Sequence, residues 1–223
     1  MAIVAATFGR TANKLARQDR PATLGYLALG DSYTIGESVA AEDRYPVLAM
    51  QGSGMPGLPE IIATTGWTTG DLLEALANQK PASGYQVVSL LIGVNNQYQG
   101  RSQREYREQF TALLQTAIRL AGDRPTHVIV LSIPDYSVTP FARGRGHDTS
   151  LIAAQIDSFN LINREVALQY GVTWLDVTTE SRKAAADPSL IAADGLHFSG
   201  KEYGIWAARM APVMKMITTS SQK

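Results

Sequence analysis

Five short apolar runs alternate with helical segments along this chain, and that alternation leaves few folds open to it. The runs are Leu24 to Leu29, Glu60 to Thr65, Gln86 to Ile92, His127 to Ile133 and Val172 to Val177. Several are apolar nearly throughout, as strands buried on both faces are. Between them, Arg44 to Met50 reads as a helix with Pro46 in its first turn. Asp71 to Gln79 reads as a second, capped by Thr68 or Thr69. Ser102 to Ala121 carries Tyr106, Phe110, Leu113, Leu114, Ala117 and Ile118 at helical spacing, and Asp148 to Tyr170 gives another long helix. Ser181 to Ala193 reads as short helix and loop, and Ser199 to Ile217 as a final helix with a serine cap. Strands alternating with helices predict an α/β fold: a parallel sheet with helices on both faces. No internal repeat and no long linker interrupts it. One domain over residues 1–223 is expected, with 1–22 as an arm or short helix.

The chain is long enough to bury a sizeable core without staples, at 223 residues. It has no cysteine, which excludes disulfides, thiolate metal sites and a cysteine nucleophile. Lys plus Arg equals Asp plus Glu at 20 each, and a net charge of zero argues against nucleic acid or an anionic membrane as the main partner, because both need a basic footprint, though a local patch stays open. His127, His147 and His197 lie too far apart for metal-type spacing. No run approaches a membrane span, and Met1 to Phe8 is too short and poorly framed for a signal peptide. A cytoplasmic location is expected, with oligomeric state left open.

Chemistry gathers where the strands stop. The first run ends at Gly30-Asp31-Ser32, the second at Thr65-Gly66-Trp67 and the third at Gly93-Val94-Asn95-Asn96. If the strands are parallel, these turns meet at one edge of the sheet, where open α/β sheets hold their ligands. Asp194-Gly195-Leu196-His197 follows the last strand and can return to that edge. Ser32 then suits a nucleophile, His197 its general base and Asp194 the group that orients the imidazole. Backbone N–H groups of Ser32 and Gly66 and the side-chain amide of Asn95 suit an oxyanion hole.

With these residues on the page, the sequence resembles the SGNH hydrolases, the GDSL esterase/lipase family. Gly30-Asp31-Ser32-Tyr33 resembles the first family block, Gly66 the second, Gly93-Val94-Asn95-Asn96 the third and Asp194-Gly195-Leu196-His197 the last. The resemblance implies a three-layer α/β/α sandwich with a mostly parallel, flavodoxin-like sheet of about five strands. It also implies Ser32, Gly66, Asn95 and His197 as the residues that name the superfamily, with Asp194 completing the triad. The implied activity is hydrolysis of carboxylic esters through an acyl-enzyme, with neither metal nor organic cofactor. Two positions depart from the usual blocks: Tyr33 stands in place of leucine and Asn96 in place of aspartate. Thr34 occupies the last position of what would be a Gly-x-Ser-x-Gly elbow, which argues against the ordinary α/β-hydrolase fold.

The substrate is expected to be a small-molecule or glycan ester. No long apolar lid is present, which favours short acyl groups over triglycerides. A carbohydrate O-deacetylase, an acyl thioesterase and a non-catalytic binding module are the competing readings. Tyr33, Trp67, Asn96 and Phe141 are candidates to line the substrate pocket, against plain packing for Tyr33, Trp67 and Phe141 and loop-orienting for Asn96. Asp135 and Asp176 also end strands but lack the spacing of Asp194 to His197. His127 reads as a surface or capping residue, and Arg143 and Arg145 as solvated. Residues 137–147, with their glycines and proline, read as a long loop that could act as a lid.

Overall fold

The fold was analysed in a computed structural model that describes residues 24–144, 146 and 148–220. The expected N-terminal arm (1–22), Arg145, His147 and the last three residues lie outside the described residues. In chain order the strands are β1 (Leu24–Gly30), β2 (Glu60–Ala63), β3 (Tyr85–Leu91), β4 (Val128–Leu131) and β5 (Thr173–Leu175). The helices are α1 (Ser32–Ile35), α2 (Tyr45–Ser53), α3 (Thr69–Gln79), α4 (Val94–Tyr98), α5 (Gln103–Leu120), α6 (Pro140–Gly144), α7 (Thr149–Gln169), α8 (Thr178–Ser181) and α9 (Gly200–Ser220).

The five strands lie in the order β2-β1-β3-β4-β5, and every pairing is parallel. Leu27, Leu29, Val88, Leu90, Val128 and Val130 are fully buried, because strands at the centre of such a sheet are covered on both faces. α2 and α9 pack together on one face, while α3, α5 and α7 form the layer on the other. Trp206 of α9 is fully buried among the rings of Tyr33, Tyr45, Phe198 and Tyr203. In this strand order the chain reverses direction across the sheet between β1 and β3, and the crevice beyond their carboxyl ends is where a ligand fits. Ser32 follows β1 there, and Asn95 follows β3.

Helix starts follow side-chain chemistry. Thr68 caps α3 in a reciprocal box with Asp71, Ser102 caps α5, and Asp148 caps α7. Each satisfies a backbone N–H that has no partner inside its helix. Among the described residues, no helix is long and apolar enough to cross a membrane.

Residues 137–144 of the stretch 137–147 are not the plain loop expected from their sequence. Tyr136–Val138 forms a 3-10 turn and Pro140–Gly144 forms α6. Pro140 occupies the first helical position, where its missing N–H costs nothing, and Thr139 Oγ1 accepts the N–H of Ala142. The punctuation that reads as a loop therefore starts a helix.

Candidate active site

The first turn of α1 holds Ser32 still. Asp31 caps it by accepting the N–H of Tyr33 at 3.1 Å, and the N–H groups of Thr34 and Ile35 both donate to Asp31 O. Asp31 itself is fully buried, and that burial pushes its carboxyl up to about 7 against the lowering effect of backbone N–H groups of Tyr33 and Gly93. Ser32 thus leaves the sheet on a short, fixed turn and reaches the wall of a cavity of about 280 Å³.

Gly66, Asn95 and His197 line the same cavity. Gly66 has φ +87°, a backbone setting that side chains resist, and open space where a Cβ would stand. Asn95 donates from Nδ2 to Trp67 O at 2.8 Å. That bond ties α4, which follows β3, to the loop after β2 and leaves the second amide hydrogen uncommitted to it.

Gly93, which turns the chain out of β3, has φ +133°. A Cβ there would stand 2.6 Å from Tyr106 Cε2 and 2.7 Å from Ile133 Cδ1. Gly93→Ala is expected to cost about 1–3 kcal/mol in strain and overpacking. Urea titration of the variant beside wild type checks this; equal midpoints would refute it.

His197 and Asp194 form a local pair. His197 Nδ1 lies 2.6 Å from Asp194 Oδ2, and Asp194 Oδ1 accepts the backbone N–H groups of Leu196 and His197, each at 2.9 Å. Ser38 donates to Oδ2 at 2.7 Å. Partial burial would raise the Asp194 pKa. The bonds from His197, Ser38 and the two backbone groups outweigh it and hold the carboxyl well below the usual carboxylate range. Asp194 is therefore ionised at neutral pH and faces Nδ1 of the imidazole. Among the described residues no hydrogen bond joins Ser32 Oγ to the imidazole. Such bonds are commonly loose before substrate arrives.

The other two carboxylates considered from the sequence are engaged elsewhere. Asp135 pairs with Arg182 at 2.8 Å, and Asp176 accepts from the N–H and hydroxyl of Thr179. His127 is nearly buried and bonds Gln86 O through Nδ1, so it packs at the sheet's far end.

The four expected lining residues divide. Tyr33 and Phe141 reach the cavity, Tyr33 with its ring also set edge-on to His197. Trp67 packs against the core and contributes its carbonyl instead. Asn96 does not line the cavity either. It is fully buried, accepting Thr69 N–H at 3.0 Å and donating to Thr69 Oγ1 at 2.7 Å, so it ties α4 to the start of α3.

The rest of the wall was not foreseen from the sequence. Val94, Tyr98, Tyr136 and Leu196 line the cavity with Phe141, and the rings of Tyr136 and Phe141 lie 6.3 and 6.4 Å from that of Tyr98. Val94 and Tyr98 are four apart on α4, a helical spacing that could have placed them on one face. No Lys, Arg, Asp or Glu is among the described lining residues. Nor does any group of His, Asp and Glu among the described residues suit a metal ion.

The fold is similar to those of several solved structures. Phospholipase A1 from Streptomyces albidoflavus NA297 is 19% identical, with a TM-score of 0.64 over 87% of this chain and 99% of that one. The lipase Lip_vut3 from a goat rumen metagenome is 16% identical, with a TM-score of 0.65 over 86% and 97%. The psychrotrophic esterase EstA from Pseudoalteromonas sp. is 15% identical, with a TM-score of 0.62 over 87% and 98%. At such identities the likeness speaks to the fold. The sequence matches none of the curated proteins. The model of the GDSL-like Lipase/Acylhydrolase family matches residues 28–205, a span that runs from the end of β1 past His197. The chain therefore belongs to the GDSL-like lipase/acylhydrolase family and is an ester hydrolase.

Proposed function

We propose that the chain hydrolyses short-chain, uncharged carboxylic esters through an acyl-enzyme on Ser32. The observation that carries this reading is the 2.6 Å bond between His197 Nδ1 and Asp194 Oδ2, on a histidine that shares one cavity wall with Ser32. Asp194 fixes the tautomer with the proton on Nδ1, so Nε2 is the basic nitrogen. Ser32 Oγ attacks the ester carbonyl carbon as its proton passes to Nε2. The carbonyl oxygen becomes an oxyanion, held by the N–H groups of Ser32 and Gly66 and the second amide hydrogen of Asn95. Collapse of this intermediate breaks the bond to the alcohol oxygen, which leaves with the proton from Nε2. Water then gives its proton to Nε2 and attacks the acyl carbon, and the carboxylic acid departs as Ser32 regains its hydrogen.

The cavity sets the acyl group. At about 280 Å³ the cavity lies at the small end of ligand sites, which run from roughly 300 to 1,000 Å³, and that favours a short acyl group. The apolar wall of Val94, Tyr98, Tyr136, Phe141 and Leu196 suits hydrocarbon, and the lack of charge in the described lining suits neutral esters. Each methylene that fits gains about 0.8 kcal/mol, or roughly fourfold in kcat/KM.

The test is hydrolysis of p-nitrophenyl esters from acetate to palmitate. Specificity is expected to climb about fourfold per methylene, peak between butanoate and octanoate, and then fall. A steady climb to palmitate would overturn the short-chain assignment. Turnover confined to acetylated glycans or acyl thioesters would move the substrate class while leaving the serine chemistry in place.

A further inference from the structure

We infer that Gly36-Glu37-Ser38 is a strap that sets the catalytic groups in register, and that Ser38 is a positioning residue for His197 acting through Asp194. The inference rests on the triad proposed above. The strap begins on the nucleophile's own turn, where the N–H groups of Gly36 and Glu37 both donate to Ser32 O. It then reaches two other loops. Glu37 Oε2 accepts the hydroxyl of Thr65, the residue before Gly66, at 2.5 Å. Ser38 Oγ donates at 2.7 Å to Asp194 Oδ2, the oxygen that also meets His197 Nδ1. Three consecutive residues thus connect the nucleophile turn, the oxyanion loop and the base–acid loop.

The backbone of the strap supports a specific role for Ser38. Its φ is +65°, one of three positive values outside glycine among the described residues. Of the other two, Lys80 caps the C-terminus of α3 and Asp123 follows the end of α5, whose carbonyl at Ile118 accepts its N–H. Left-handed backbone at a residue with a Cβ is unfavourable, and it persists where the surroundings hold it. Ser38 is the third residue of a turn closed by the Val39 N–H donating to Gly36 O at 3.3 Å, and that turn aims its hydroxyl at Asp194. The hydroxyl fills one of the lone pairs on Oδ2 and leaves the other for the imidazole. The carboxylate therefore cannot swing away from Nδ1 without breaking bonds at both of its oxygens.

Ser38→Gly isolates the hydroxyl, because glycine adopts the same backbone without strain. With p-nitrophenyl butanoate as probe, kcat is expected to fall about tenfold, with KM and the urea midpoint unchanged. The same substitution placed on Asp194→Ala is expected to change kcat less than twofold further, since the hydroxyl then has no carboxylate to hold. Ser38→Asn keeps a donor and tolerates left-handed backbone, so it should recover part of the loss. Wild-type kcat in Ser38→Gly, or an undiminished tenfold loss on the Asp194→Ala background, would overturn the role of Ser38. Full activity in Asp194→Ala alone would instead remove the triad on which the inference stands.

Discussion

Asp194→Asn is expected to lower kcat about 10⁴-fold and leave the fold intact. The size of the effect follows from which oxygen each partner uses. Asp194 Oδ1 accepts two backbone N–H groups, from Leu196 and His197. An asparagine must keep its carbonyl there, because an NH₂ would face two donors. Its NH₂ is then placed at the Oδ2 position, opposite His197 Nδ1. Two donors cannot share that bond, so the imidazole moves its proton to Nε2 and presents Nδ1 as acceptor. Nε2 then carries a hydrogen and cannot take one from Ser32. The Ser38 hydroxyl rotates to accept from the new amide, so the local structure survives. Steady-state kinetics on p-nitrophenyl butanoate, with a thermal melt as control, measures this. A loss below tenfold with an unchanged melt would show that Asp194 does not set the tautomer.

Ser32→Ala removes the atom proposed to form the acyl bond, and kcat is expected to drop on the order of 10⁶-fold. A residual rate above the uncatalysed one should remain from Gly66, Asn95 and substrate binding, about 10³-fold over water. The loss should not compound. Ser32→Ala combined with His197→Ala is expected to be no slower than Ser32→Ala alone, because a base without its nucleophile has nothing to deprotonate. An alkyl fluorophosphonate should label the tryptic peptide that contains Ser32 in wild type and leave the Ser32→Ala protein unlabelled. Activity within tenfold of wild type in Ser32→Ala would sink the assignment, and additive losses in the double variant would mean the two side chains act apart.

Much of the architecture was legible because the signals are local. A buried parallel strand needs an apolar run, and a helix start needs a capping side chain. Both are written in consecutive residues, as at Val87 to Leu91 and at Thr68-Thr69-Gly70-Asp71. Asp194 and His197 are three apart, so their pairing too lies within reach of the sequence. The end of each strand marked Ser32, Gly66 and Asn95 because parallel strands deliver their carboxyl ends to one edge.

Other features depend on segments far apart in the chain. Asn96 reads as a second polar residue of its loop. Only the approach of Thr69, 27 residues away, makes it an internal brace rather than a pocket wall. Trp67 looks like an aromatic lining residue, but it packs on the core and offers its carbonyl to Asn95. Tyr98, Tyr136 and Phe141 meet as one wall from three different elements. Ser38 carries no motif, and its hydroxyl meets Asp194, 156 residues later. The sequence by itself determined the order of the five strands and the longer helices, the Thr68 cap and the residues offered for chemistry, because each rests on near neighbours. The tertiary structure decided the wall of the cavity, the Asn96 brace between α4 and α3, and the hydrogen bonds from Glu37 and Ser38 to two distant loops. Those depend on which distant side chains share a space, and only the packed sheet and its two helical layers settle that.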